Sequence, residues 1–74
     1  MFKIGDKVRT VWAKYLTDSA NSVYANRNAV VIKISHHNSY TTYRIKFDKA
    51  FYDHNTKVET MFYDSFQDGL VLRN

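Results

Sequence analysis

From Asn28 to Phe47 the chain runs through two alternating stretches separated by four polar residues. Val30, Ile32 and Ile34 alternate with Val31, Lys33 and Ser35, and Thr41, Tyr43, Ile45 and Phe47 alternate with Thr42, Arg44 and Lys46. A period of two is that of half-buried strands, and His36-His37-Asn38-Ser39 has the composition of a hairpin turn. Closing the hairpin on those four residues sets Ser35 opposite Tyr40, Lys33 opposite Thr42, Val31 opposite Arg44 and Ala29 opposite Lys46. The other face then pairs Ile34 with Thr41, Ile32 with Tyr43 and Val30 with Ile45. One face is oily and the other basic, so a single register serves both strands.

The flanking pattern supplies the remaining elements. Gly5-Asp6 predicts a tight turn ahead of a first strand over 7–12, with Val8, Thr10 and Trp12 on one side and Lys7, Arg9 and Val11 on the other. Residues 13–27 are too polar for a strand. Leu16, Ala20, Val23 and Tyr24 stand at helical spacing, and Thr17, Asp18 or Ser19 can cap, so one or two helical turns are expected inside a long first loop. Residues 48–57 predict a second loop, and 58–63 a fourth strand with Val58, Thr60 and Phe62 inward. Asp64 to Gly69 predicts one helical turn capped by Asp64 or Ser65, followed by a short last strand over 70–73. Trp12, Tyr43, Phe47, Phe62 and Phe66 are expected in the core. Tyr15, Tyr24, Tyr40, Phe51, Tyr52, Met61 and Tyr63 are expected to be partly exposed.

The elements sum to a mainly β protein: a small five-stranded, strongly bent antiparallel barrel with a long first loop and a one-turn helix before the last strand. With 74 residues the chain is expected to be a single domain, and its opening Met1 reads as the start of a complete protein. The segments FKIGDKVR, AVVIKIS, YRIKFD and DSFQDGLVL together resemble the SH3-like barrels of the KOW, Tudor and related chromatin- or ribosome-associated types over most of the chain. The resemblance implies a binding module. Its Tudor branch implies an aromatic cage at one mouth of the barrel, for which Trp12, Tyr15, Tyr40 and Tyr63 are available.

Charge sharpens this picture. Residues 1–46 hold eight basic and two acidic side chains, and 47–74 hold three basic and five acidic, within a net charge of +4. A polarised chain of this kind favours an anionic partner. The absence of cysteine excludes disulfides and thiolate zinc sites and suits a reducing compartment, and no stretch has the length or hydropathy of a membrane span, so a cytoplasmic location without membrane attachment is expected. His36 and His37 are adjacent, so their rings diverge, and His54 lies in another loop, which argues against a metal. No nucleophile motif and no glycine-rich phosphate loop occurs. The expectation is a non-enzymatic module without cofactor.

Two functions fit. In the first, Lys7, Arg9, Lys33, Arg44 and Lys46 meet the phosphates of DNA or RNA, with Tyr40 stacking or packing on sugar. The plainer account of those cations is that outward strand positions must be polar in any case. In the second, the chain is a protein-interaction module, a small adaptor or an inhibitor of a larger host enzyme of the kind that viruses and phages encode, using Tyr15, Tyr24, Phe51, Tyr52, Met61 and Tyr63. Self-association through a strand edge is a further option.

Overall fold

The computed structural model describes residues 1–73. Its elements are β1 (Lys7–Thr10), α1 (Asp18–Tyr24), β2 (Asn28–His36), β3 (Thr41–Asp53), β4 (Val58–Ser65), a lone 3₁₀ turn (Gln67–Gly69) and β5 (Leu70–Leu72). All pairings are antiparallel and the strand order is β4-β3-β2-β1-β5. The sheet is strongly curled and does not close, leaving β4 and β5 as its edges. The architecture is therefore the mainly β one expected from the pattern, with the long loop after β1 and the single helical turn before the last strand.

The central hairpin forms, but in a different register. The loop is His37–Tyr40, shut by the His37 amide donating to the Tyr40 carbonyl at 2.8 Å. His36 then faces Thr41, Ser35 faces Thr42, Ile34 faces Tyr43 and Lys33 faces Arg44. Between Lys33 and Val31 the register shifts by one, leaving Ile32 as an extra residue, and the pairs continue as Val31 with Ile45, Val30 with Lys46 and Ala29 with Phe47. The reason lies in Ala29-Val30-Val31-Ile32, four consecutive apolar residues that cannot all face one way. Without the bulge Val31 would oppose Lys46 on the outer face. With it, Ala29, Val31 and Ile34 all turn toward the core while Lys33 stays outside. Ile32, expected inside, is 38% exposed.

The core is Phe2, Val8, Ala29, Val31, Tyr43, Ile45, Phe47 and Leu70, flanked by Tyr24, Ile34, Phe51 and Tyr63. Phe2 stands edge-on to Tyr43 with ring centres 5.3 Å apart. From Tyr43 to Asp48 burial on β3 alternates, Tyr43, Ile45 and Phe47 inside and Arg44, Lys46 and Asp48 outside. The expected loop over 48–57 is instead strand as far as Asp53, with a register shift between Lys46 and Phe51 that bends the sheet. The true turn is short: Lys57 takes a positive φ of 61° and returns a hydrogen bond to the Asp53 carbonyl.

Three aromatic assignments are corrected. β1 stops at Thr10, so Trp12 lies on the first loop and is 58% exposed. β4 runs on through Asp64 and Ser65, which therefore do not cap a helix, and the phase it takes turns Tyr63 inward against Ile45 and Phe62 outward against Lys46. Phe62 is 53% exposed and Phe66 39%. Val58, also expected inward, is exposed.

The first loop is held by polar anchors. Buried Asn21 accepts from the Ala13 amide at 2.8 Å and donates to the carbonyls of Ala13 and Leu16. Thr17 caps α1 by accepting from the Ala20 amide. Thr10 ties the loop's far end to β1 through the Tyr24 carbonyl and the Arg27 amide. Seven helical residues are too few to persist alone, so these bonds carry α1.

The bulge predicts a contrast in stability. Ile45→Ala should cost about 2–5 kcal/mol, as for a fully buried isoleucine, and Ile32→Ala less than about 1 kcal/mol, measured by urea unfolding. Equal costs would show that the register is wrong.

Candidate functional site

The register brings the predicted cations to one face. A row across four strands reads Lys7 on β1, Val30 on β2, Lys46 on β3 and Phe62 on β4. A neighbouring row reads Lys33, Arg44 and Asp64, and on the other side Arg9 lies between Asn28 and Val71. Adjacent strands are about 4.8 Å apart, and same-face neighbours along a strand about 7 Å, so the five cations share one continuous outer surface. All five are exposed.

They are not equivalent. Arg44 donates to Asp64 through both Nε, at 2.8 Å, and a terminal nitrogen, at 3.1 Å. The hydrogen bond from Arg44 holds the Asp64 carboxyl below the usual carboxylate range, the charges of Arg44 and Lys33 add to this, and partial burial opposes it. The same bond raises the Arg44 guanidinium further above its ordinary value. Arg44 thus contributes little net charge. A second pair, Arg73 with Asp48 at 3.2 Å, neutralises the corner where Arg73 also donates to the Val8 and Ala29 carbonyls. Among the described residues Lys7, Arg9, Lys33 and Lys46 have no ion-pair partner. Arg9 reaches only the Asn28 amide oxygen, at 3.4 Å.

Tyr40 sits at the hairpin tip, 50% exposed, stacked on His37 at 4.4 Å and edge-on to Phe66 at 5.7 Å. Phe66 is extended and follows Ser65, the partner of Tyr43, so one further step of the register places it beside Thr42, on the face of Arg44 and Asp64. Phe62 is on the surface because β4 takes the opposite phase to the one expected, and Phe66 because β4 runs on through Ser65 where a helical turn is expected. No decisive signal was present in the sequence, because Glu59 and Asp64 both belong outside yet stand at positions of opposite parity, and the alignment of Arg44 with Asp64 sets the phase.

The alternative set separates into four groups. Phe51 and Tyr63 both pack on Tyr24 against the core, Phe51 edge-on and Tyr63 stacked at 4.4 Å. Burial pushes the Tyr63 hydroxyl up to about 12; burial and the Asp53 carboxylate do the same for Tyr24, which donates to Asp53. Arg27 lies over the Phe51 ring at 3.4 Å, and Met61 is half-buried on β4. Tyr52 is exposed beside His54. Tyr15 is edge-on to Phe66, its hydroxyl 3.0 Å from Ser65 Oγ. Of the four residues available for an aromatic cage, Tyr15 and Tyr40 both reach Phe66, Trp12 borders a cleft with Tyr15, and the Tyr63 ring is turned into the core and stacked on Tyr24.

Among the described residues no three histidine or acidic side chains gather as a metal site, and no helix is long and apolar enough to cross a membrane. The chain matches no family model, no curated protein and no solved structure.

Two carboxyls have lowered values: Asp64, and Asp53, which is held down first by the Tyr24 hydroxyl and then by the Asn55 and Thr56 amides. A carboxyl lowered by folding stabilises fully above its unfolded value of about 3.9 and loses that contribution as pH falls through the folded value. The urea midpoint should therefore stay level from about pH 7 to about pH 5 and drop below about pH 4. Asp53→Asn should reduce the drop, and an unchanged profile would count against the assigned bonds.

Proposed function

We propose that this chain is a non-catalytic nucleic-acid-binding domain that receives the phosphate backbone on the outer face of its sheet. One observation carries the proposal: Lys7, Arg9, Lys33 and Lys46 stand on a single surface with no carboxylate paired to them among the described residues. Unpaired cations on a rigid sheet release counterions when they meet phosphates, which is the main source of affinity for a polyanion. Arg44 has a lesser part, because a phosphate must displace Asp64 to engage it. The likeness of four sequence segments to SH3-like barrels of the KOW and Tudor types, and a curled five-stranded sheet compatible with a small barrel, support the same class.

A protein partner is the second reading, favoured by Trp12. This large exposed ring borders a cleft of about 410 Å³ with Ala13, Lys14 and Tyr15 of the first loop and Asp68 of the 3₁₀ turn. Capture of a partner that survives nuclease digestion and is lost in Trp12→Ala would favour it.

The nucleic-acid proposal is tested by fluorescence anisotropy on labelled DNA and RNA across a salt series. Lys7→Ala/Lys46→Ala should lower the log–log salt slope by roughly two, about one for each cation, and weaken binding at every salt concentration. Arg44→Ala should move the slope less than Lys46→Ala alone. Binding by the double variant equal to that of the parent throughout the series would overturn the proposal.

A further inference from the structure

The outer face has two halves of different chemistry. Across β1, β2 and β3 it presents Lys7, Lys33 and Lys46. Along the edge strand β4 it presents Phe62, then Asp64 already neutralised by Arg44, and beyond the strand's end Phe66 with Tyr40 against it. These three rings are between 39% and 53% exposed, and they border the cations without being covered by them.

We infer that the nucleic acid taken by this face is single-stranded, with its sugar-phosphate chain over the lysines and unstacked bases on Phe62, Phe66 and Tyr40. The inference rests on the proposed phosphate-binding role of the face and adds the form of the ligand. A duplex shows phosphates on its outside and keeps its bases stacked within, so rings beside the cations would meet only charged backbone and lose hydration for nothing in return. A single strand has one charged side and one side of flat apolar bases, and an aromatic platform beside a cationic groove complements both. The pairing of Arg44 with Asp64 fits the same arrangement. It leaves the strip between the two phenylalanines close to neutral, where a base can lie without stripping water from an isolated charge. The position of the rings at a sheet edge leaves room for bases to extend past β4.

The test compares a labelled single strand of roughly 12 nucleotides, oligothymidylate or oligouridylate, with a duplex of the same length at fixed salt. The single strand should bind at least about tenfold more tightly, and Phe62→Ala should weaken it roughly 5- to 100-fold with the salt slope unchanged. Phe62→Tyr should bind as the parent does, and duplex binding should be insensitive to either change. Phe66→Ala should behave similarly, but Phe66 also supports Tyr15, so Phe62, exposed and making no such support, is the deciding position. A duplex bound as tightly as the single strand, with Phe62→Ala inert and Lys7→Ala/Lys46→Ala still lowering the slope, would overturn the single-strand inference and leave the phosphate-binding face standing. Failure of the parent to bind either form would overturn both.

Discussion

The extra residue at Ile32 decides which way the middle of the sheet faces. On its hairpin side, Lys33 pairs with Arg44 outside and Ile34 with Tyr43 inside; on the other side, Val31 pairs with Ile45 inside and Val30 with Lys46 outside. One inserted position reconciles two phases of alternation that a straight ladder would bring into conflict. The hydrophobic gain is large, because Val31 and Ile45 are fully buried, and each such side chain contributes about 1.5–3 kcal/mol when removed from water; Tyr43 is buried with them, its hydroxyl without a hydrogen-bond partner among the described residues. The same insertion keeps the cations of β2 and β3 on one surface. Core and candidate site therefore depend on a single local irregularity.

Much of this was legible in the sequence, and the exceptions share a cause. β3 was readable because its apolar and charged positions alternate strictly, Tyr43-Arg44-Ile45-Lys46-Phe47, so only one phase buries no charge. The partition of Lys7, Arg9, Lys33, Arg44 and Lys46 to the outside followed from the same rule. β2 was not readable to the residue, because Ala29 to Ile32 is apolar in both phases and the pattern contains nothing to mark an insertion. β4 failed likewise: Val58-Glu59-Thr60-Met61-Phe62-Tyr63 carries bulky residues at odd and even positions, and the choice between them is made by a register shift on its neighbour, between Lys46 and Phe51. Arg44 and Asp64 are twenty positions apart and meet only once β3 and β4 are aligned, so their mutual neutralisation could not be anticipated from either strand alone.

Electrostatics on this molecule is consequently finer-grained than its net charge. The ion pairs fall at the β4 side and at one corner of the sheet, where Asp64 and Asp48 take up the two arginines. Among the described residues, what remains unpaired on the face is three lysines and Arg9, compact or flexible charges able to reorient toward an approaching anion. Exposed to solvent, such an ion pair does little for stability, and its main effect is on where positive potential survives.

The placement of β5 bears on how the molecule comes together. Val8 lies beside Leu72 and Arg9 beside Val71, so the first strand is flanked on one side by residues from the opposite end of the chain. Until Leu70–Leu72 dock, β1 remains an edge with half its amides and carbonyls unmatched, and the loop that must be closed to match them is nearly the entire polypeptide. That entropy is recovered through Leu70–Leu72 together with the Val11 amide on the Gly69 carbonyl, the Arg73 amide on the Lys7 carbonyl and the Arg73 guanidinium on the Val8 and Ala29 carbonyls, so the shortest strand closes the longest loop of the sheet.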